Sequence, residues 1–226
     1  MTKGQLSRRR TRTRALAPEA KHERRAAIVA AAEALLARDP EGSFAVGDIA
    51  RRAGLAKGTV YLYFGSREEI LLAVHDTQLE ELFRAVEAAL ARPDVDAERM
   101  VRAVLGFLER RPDFFRLATN CHSALEGSVP AEASRAHREG VAARLTLLGE
   151  RIEAIYAGMG RGEGLRLLMN CYAHMLGLWQ LAASPLRVES GATVPAALQI
   201  DFDAQLGAAL TDLWNAAVLR GKERTS

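Results

Sequence analysis

Aromatic residues, cysteines and long hydrophobic runs are scarce in this chain. Only 6% of its 226 residues are aromatic although 49% are hydrophobic. Alanine and leucine supply most of the rest, which favours helices over strands. The two cysteines, Cys121 and Cys171, are far apart in sequence and form no metal-binding pattern. We therefore expect an all-α protein of the cytoplasm, with reduced thiols and no metal.

Several functional classes lack their sequence signals. No apolar run reaches the 18 or so residues that a membrane span needs. The N-terminal arginines precede no apolar stretch, so we predict no secretion signal. No glycine-rich phosphate loop, carboxylate pair or metal-ligand spacing appears. Cys121 adjoins His122, but neighbours on a helix point about 100° apart. We predict neither an enzyme nor a bound cofactor.

The charge distribution is strongly asymmetric along the chain. Residues 1–67 contain 14 Lys/Arg and 6 Asp/Glu, whereas residues 68–226 contain 17 and 22. The first segment therefore carries a net charge of +8 and the second −5. Because Lys and Arg side chains neutralise phosphates, this polarity favours binding of nucleic acid through the N-terminal part.

Residues 44–70 have the pattern of two short helices joined by a tight turn. Apolar positions three and four apart in Val46–Ala53 indicate a helix with one buried face, and Gly54 ends it. A second helix of about two turns is predicted from Lys57 to Phe64. A capping box of Ser66 and Glu69 then starts the next helix. This arrangement is typical of a helix-turn-helix that binds duplex DNA.

The second helix has one inward and one outward face. Val60 and Phe64 lie four residues apart and are expected to pack on the first helix. Thr59 and the N-terminal Lys57 would then face base edges in a major groove, and Leu62 a thymine methyl. The other residues predicted to contact DNA through its backbone are Tyr61, Tyr63 and Arg67. Each residue alone is also compatible with an ordinary surface or core position; the unbroken pattern favours DNA.

This segment resembles the DNA-binding motif of the TetR family of bacterial repressors. The matching residues are Val46, Asp48, Ile49, Ala50, Ala53, Gly54, Leu55, Lys57, Gly58, Tyr61, Tyr63, Phe64, Ser66, Arg67, Glu68 and Ile70. The resemblance implies DNA contacts at Lys57, Gly58, Thr59, Tyr61, Tyr63 and Arg67, an obligate dimer and a divergent ligand-sensing body. Many relatives have Thr or Ser where this chain has Ala45, which can neither cap the helix nor contact phosphate. Ser43 or free backbone amides are the candidate substitutes.

Three segments are predicted along the chain. Residues 1–17 form a flexible basic arm, with two alternatives: entry into a minor groove, or a solvated tail with diffuse attraction to DNA. Residues 18–66 form a three-helix DNA-binding domain whose first helix starts near Pro18 and ends near Asp39-Pro40. Residues 67–226 form a helical sensing and dimerisation domain that begins with a linking helix over 67–91, ended by Pro93. Further helices are predicted at 96–110, 112–122, 131–158, 162–184 and 197–220, the last preceded by a loop from Ser184 to Pro195.

The last two predicted helices carry broad apolar stripes. Pairing with the same helices of a second copy would cover them, although packing inside one chain is the alternative. The residues assigned to this interface are Leu168, Leu176, Phe202, Leu206, Leu210, Leu213 and Trp214.

A mostly apolar group with a few polar atoms is the candidate effector site. Its members are Asn120, Cys121, His122, Tyr172, His174, Met175 and Trp179. The favoured function is a repressor that binds a pseudo-palindromic operator as a homodimer and is released by a small, mainly apolar effector. The alternative is a DNA-organising protein that senses no ligand.

Overall fold

In the computed structural model, the described part of the chain is helical and contains no strand. The structure describes residues 3–39, 42–92, 95–124, 127–183, 196 and 199–225, with side chains from residue 19 onward except at 123, 124, 183 and 225. The described helices are α1 (Lys3–Leu36), α2 (Val46–Arg52), α3 (Lys57–Val60), α4 (Arg67–Leu90), α5 (Ala97–Arg110), α6 (Phe114–Ala124), α7 (Ala131–Ile155), α8 (Glu163–Ala183) and α9 (Phe202–Thr225).

The predicted all-α fold is confirmed, and most of the helix boundaries fall within two or three residues of those expected. The largest difference is the first helix, which begins at Lys3 and includes Pro18 instead of starting there. Arg, Leu, Ala and Gln in residues 3–17 are good helix formers, which favours a helix that continues upstream of the proline. The side chains of residues 1–18 lie outside the described residues, as do Pro40, Pro93 and the loop at 184–195. The role of the basic arm at DNA stays a prediction.

The chain divides into two compact units. The N-terminal unit contains the chain up to Thr77 together with Arg116–Ser134, and the C-terminal unit contains Gln78–Phe115 and Arg135–Ser226. The division falls inside α4, whereas the sequence places the domain boundary at 66–67. Most of α6 belongs to the N-terminal unit because its apolar side chains are buried there.

The core of the N-terminal unit joins five helices, α1 to α4 and α6, with the loop that follows α6. Ile28, Ile49, Val60, Phe64 and Ile70 are at most 1% exposed. The returning segment adds Leu117, Cys121 and Val129 to the same core cluster. Burial raises the pKa of the Cys121 thiol to about 12, and the nearby Asp76 carboxylate adds to this. The thiol therefore stays protonated and behaves as a small apolar side chain.

Aromatic rings form much of the core of the C-terminal unit. Phe115 packs with its ring centroid 5.8 Å from both Trp179 and Phe202. The Trp214 Nε1 donates a hydrogen bond of 3.1 Å to the Tyr156 hydroxyl. That hydroxyl donates in turn to a backbone carbonyl at 3.2 Å. Burial raises the pKa of Tyr156, so the hydroxyl remains a donor at neutral pH.

Two arginines of the C-terminal unit bind carboxylates on α4. Arg111 makes paired hydrogen bonds of 2.8 and 2.6 Å to Glu81. Arg144 makes two hydrogen bonds, of 3.0 and 3.3 Å, to Glu87. The Arg111 hydrogen bond lowers the pKa of Glu81, so this pair persists to more acidic pH than an isolated glutamate would allow.

Helices α7 and α8 cross at a pair of glycines. A Cβ on Gly149 would lie 2.6 Å from the Leu165 nitrogen, and one on Gly164 would overlap the Gly149 carbonyl. The two backbones can approach this closely only because neither residue has a side chain.

Replacing Gly149 with alanine should lower the free energy of unfolding by about 1–3 kcal/mol, because the new methyl overlaps backbone that cannot move aside. Gly140→Ala on the same helix is the matched control. A Cβ there meets nothing within 4 Å, so the free energy of unfolding of this variant should rise by up to about 1 kcal/mol. Urea unfolding of both variants measures the difference; equal midpoints would contradict the crossing geometry.

Candidate nucleic-acid interface

Helices α2 and α3 are joined by the turn that the sequence predicts. Gly54 has φ of +68°, a backbone conformation that glycine adopts without strain. The Leu55 nitrogen donates to the Ala50 carbonyl at 2.9 Å, which closes the end of α2. The turn places α3 against α2, and the buried Val60 lies in the same core cluster as Ile49 and Ala50.

The second helix of the motif is shorter than predicted. Helix α3 covers only Lys57–Val60, one turn instead of two. Beyond it, the Leu62 and Tyr63 nitrogens donate to carbonyls three residues back at 3.1 and 3.0 Å, and Phe64 donates to Val60 at 3.1 Å. The chain therefore continues to coil, but more tightly, through a run of β-branched and aromatic residues that favour the α-helix weakly. We call residues 57–64 the recognition segment.

The recognition segment exposes some of the predicted DNA contacts and partly buries others. Lys57 and Gly58 are exposed. Tyr61 is 48% and Leu62 79% exposed. Thr59 and Tyr63, which the sequence places outward, are half-buried. Tyr63 packs on the core of the N-terminal unit because the tight coil turns it inward beside Phe64.

The Arg25 side chain packs on the buried end of the recognition segment. The Arg25 guanidinium lies 4.5 Å from the centroid of the Phe64 ring, and Phe64 is 1% exposed. An arginine stacked on an aromatic face is attracted to the ring while keeping water contact at its edge. Helix α1 therefore supports the recognition segment from behind.

The Arg67 side chain, which the sequence assigns to the DNA backbone, forms hydrogen bonds within its own chain. Its Nε donates to the Phe44 carbonyl at 3.0 Å, and its Nη2 donates to the Gly42 carbonyl. Its guanidinium also lies 5.3 Å from the Phe44 ring centroid. These contacts tie the start of α4 to the loop that precedes α2, and its predicted phosphate contact stays a prediction.

The N-terminus of α2 is capped without a hydroxyl. Ala45 has the extended backbone of an N-cap but no side-chain acceptor. The Asp48 carboxylate instead accepts a hydrogen bond of 2.9 Å from the Ala45 nitrogen. Ser43, the expected substitute, is exposed and uses its own nitrogen to bond Asp39 at 2.8 Å. The sequence pattern therefore did not predict that the Asp48 carboxylate caps α2.

The cap also depends on pH. The backbone bond from Ala45 and the 2.6 Å bond from Arg51 lower the pKa of Asp48 from its ordinary value of 3.8. A carboxyl group whose pKa is lowered by folding stabilises the folded state at pH values above its ordinary pKa. That stabilisation is lost as the pH falls through the lowered pKa of the folded state. Neutral pH therefore keeps the cap intact.

The loop after α6 contacts the end of the recognition segment. The Ser66 hydroxyl donates to the Ser128 carbonyl at 3.0 Å, and a Cβ on Gly65 would lie 3.3 Å from Pro130. Val129 between them is 9% exposed. The same Ser66 oxygen accepts from the Glu69 nitrogen at 3.1 Å, which is one half of the predicted capping box. The Glu69 carboxylate accepts from the Gly65 nitrogen at 2.6 Å instead of from the Ser66 nitrogen. No local pattern in the sequence indicates the contact with Ser128, because it joins segments 62 residues apart.

The structure places the predicted effector residues in both units. Cys121 is in the N-terminal core and Met175 is in the C-terminal core. Trp179 stacks on Phe115, as described above. The remaining members are half-buried Tyr172 and the exposed Asn120, His122 and His174. The effector assignment stays a prediction.

The residues predicted for dimerisation divide into two groups. Leu206, Leu210 and Trp214 are at most 4% exposed and lie in the core of one chain. They are thus already covered, because one stripe of α9 faces the inside of its own unit. The half-buried members are Leu168, Leu176, Phe202 and Leu213.

A small cavity lies beside α8 and α9. Its volume is about 20 Å³, enough for a single water, and its lining includes Glu163, Arg166 and Asn170 but none of the predicted effector residues. No three metal-binding side chains come together within the described ranges. Within those ranges no helix combines the length and the hydrophobicity needed to span a membrane.

Replacing Ala45 with threonine should raise the free energy of unfolding by about 1 kcal/mol, because the backbone there already has N-cap geometry and lacks only an acceptor. Ala142→Thr, on the exposed face of α7, should instead lower the free energy of unfolding by a few tenths of a kcal/mol. Urea midpoints of both variants provide the test. A lower midpoint for Ala45→Thr would contradict the assigned cap.

Two family models match this chain. The model described as "Bacterial regulatory proteins, tetR family" matches residues 28–74, which contain the recognition segment. The model described as "Tetracyclin repressor-like, C-terminal domain" matches residues 76–217.

Individual relatives match over shorter or more divergent stretches. The HTH-type transcriptional regulator EthR of Mycobacterium tuberculosis is 37% identical over 81 residues, which are 35% of this chain and 38% of EthR. EthR of Mycolicibacterium smegmatis is 32% identical over 80 residues, 35% of this chain and 37% of that protein. The chain thus aligns with less than two fifths of the length of these curated relatives.

Among solved structures, the TetR-family regulator PfmR of Thermus thermophilus is 21% identical, with a TM-score of 0.46 over 83% of this chain and 97% of PfmR. A transcriptional regulator of Streptomyces coelicolor is 24% identical, with a TM-score of 0.46 over 87% of this chain and 95% of the other. The two family models together span most of the sequence, and on that basis the chain belongs to the TetR family of bacterial transcriptional regulators.

Proposed function

We propose that the recognition segment binds the major groove of a pseudo-palindromic operator and that the protein represses transcription from it. The proposal rests on the exposure of Lys57, Tyr61 and Leu62. The same segment buries Val60 and Phe64 in the core. A groove about 12 Å wide accepts such a segment. The net charge of +8 in residues 1–67 favours approach by this end.

Replacing Lys57 with alanine should weaken operator binding by about tenfold or more, because a dimer loses two contacts at base edges or phosphates. Arg151→Ala removes one exposed cation from the C-terminal unit and should leave affinity unchanged. Gel-shift titration over a range of salt concentrations measures both variants. For the parent protein, log affinity should fall steeply and linearly with log salt. Equal affinity of Lys57→Ala and the parent would contradict the assigned segment.

We further propose that the protein binds DNA as a homodimer through the exposed faces of α8 and α9. Met169, Ala173, Gly177 and Leu181 follow at intervals of four along α8 and therefore form one ridge. Met169 is 48% and Leu181 61% exposed. A Cβ on Gly177 would meet nothing within 4 Å, so packing inside one chain does not require a glycine there. A second copy whose backbone approaches closely accounts for both the apolar exposure and the glycine.

The partly buried Leu168, Leu176, Phe202 and Leu213 would form the margins of this interface. Two recognition segments related by its two-fold axis would then reach successive major grooves about 34–36 Å apart. The dimer also doubles the number of phosphate contacts, so its affinity for a palindrome exceeds that of a single chain.

Replacing Ala173 with glutamate should convert the dimer to a monomer, because two carboxylates would be buried near the symmetry axis without partners. Ala143→Glu, on the exposed face of α7, is the matched control and should remain dimeric. Light scattering after size-exclusion chromatography measures the mass. A dimeric Ala173→Glu protein with the parent's concentration dependence would contradict the interface.

We also propose that a small, mainly apolar effector releases the protein from DNA by acting through α6. Support comes from the core of the N-terminal unit, which contains Leu117 and Cys121 of α6 together with the buried Val60. Displacement of α6 would disturb the packing beneath the recognition segment and the bond between Ser66 and Ser128. The candidate contacts remain the group from Asn120 to His122 on α6, with Tyr172, His174, Met175 and Trp179 on α8. Two states with different spacing of the recognition segments then account for release.

A DNA-organising protein without an effector is the second candidate function. It would share the motif and the dimer and would differ in having a filled core in the C-terminal unit. Binding the protein to its own upstream DNA in the presence of a panel of hydrophobic compounds distinguishes the two. Release by a compound supports the repressor, whereas a broad footprint that no compound disperses supports the alternative.

A further inference from the structure

Leu62 is the most exposed large hydrophobic side chain among the described residues. It is 79% exposed, compared with 61% for Leu181 and 57% for Leu219. An isolated leucine on a surface is ordinary, so exposure alone indicates nothing. Its position in the recognition segment matters, because an apolar group here meets base edges if DNA binds as proposed.

Gly58 supplies a second and independent observation. It lies four residues before Leu62 on the same coil, and the Tyr61 and Leu62 nitrogens donate to the carbonyls four and three residues back, which continues the coil between them. A Cβ on Gly58 would meet nothing within 4 Å, and its φ is not in the left-handed region. Glycine weakens a helix relative to alanine, and nothing within the described chain requires it at this position.

Gly58 and Leu62 are both exposed on the recognition segment, one as bare backbone and the other as hydrocarbon. Lys57 and Tyr61 are exposed on the same segment and supply a cation and a hydroxyl. The bare backbone lets the segment approach closely, and the leucine then projects into the space gained. The partner that fits must present an apolar group at the floor of a groove.

Thymine is the only base of DNA with such a group. In the major groove each base presents hydrogen-bond donors or acceptors, and thymine adds the C5 methyl. A leucine against a donor or acceptor would leave that group unpaired, which weakens binding. We propose that Leu62 selects thymine at one position in each half-site by packing on its methyl, and that Gly58 permits the approach. This inference rests on the proposed binding of the recognition segment to the major groove.

The test uses the full-length dimeric protein and a duplex recovered from a random pool by selection. Each thymine of the duplex is replaced in turn, in both half-sites, by deoxyuridine, which removes only the methyl. Binding of the parent should weaken about fourfold per buried methyl at one position in each half-site. Leu62→Ala should bind the thymine duplex more weakly than the parent does, and should bind the thymine and uracil duplexes equally at that position.

Two control variants isolate the methyl contact. Leu147→Ala removes a leucine that is 58% exposed on α7, and it should keep the full sensitivity to uracil. Lys57→Ala should bind both duplexes more weakly while keeping their ratio, because its contact does not involve the methyl. Circular dichroism of Leu62→Ala checks that the helices are intact; an exposed side chain contributes little to the fold.

Two results would overturn the inference while leaving the proposed function in place. In the first, the parent selects a duplex but no replacement of thymine by uracil affects its binding. In the second, Leu62→Ala retains the parent's sensitivity at every position. A protein that selects no duplex from the pool would overturn the proposed function and this inference with it.

Discussion

Burial of Val60 and Phe64 is the interaction on which the recognition segment depends. Helix α3 has four residues, far fewer than a helix needs to be stable alone in water. Its orientation therefore comes from these two anchors, which are at most 1% exposed, and from Arg25 over the Phe64 ring. With the anchors fixed, the tight coil leaves Leu62 in solvent and turns Tyr63 partly inward. The surface available to DNA is thus a consequence of core packing.

The same core also contains a segment that follows more than 40 residues later in the chain. Helix α6 contributes Cys121, and the loop behind it contributes Val129. The Ser66 hydroxyl joins that loop to the first turn of α4 by donating to Ser128. Packing beneath the recognition segment and the start of α4 are therefore coupled to α6 through apolar contact and one hydrogen bond.

Glycines serve three different physical purposes in this protein. Gly54 has a positive φ that ends α2. Gly149 and Gly164 lack side chains because α7 and α8 cross too closely for a methyl. Gly58, Gly140 and Gly177 have open space around them, so neither conformation nor internal packing accounts for them. Gly58 and Gly177 lie on the faces that we propose bind DNA and a second copy of the chain.

The sequence by itself determined the helices, the turn at Gly54 and the inward direction of Val60 and Phe64. These follow from residue spacing and from the conformational preferences of glycine and serine, which act over a few residues. Only the tertiary structure decided what covers each apolar stripe. It placed Leu206, Leu210 and Trp214 inside one chain, turned Arg67 onto the loop before α2, and brought α6 into the N-terminal core. Periodicity shows that a helix face is buried, but the partner of that face is set by contacts between residues distant in sequence, for which local pattern carries no signal.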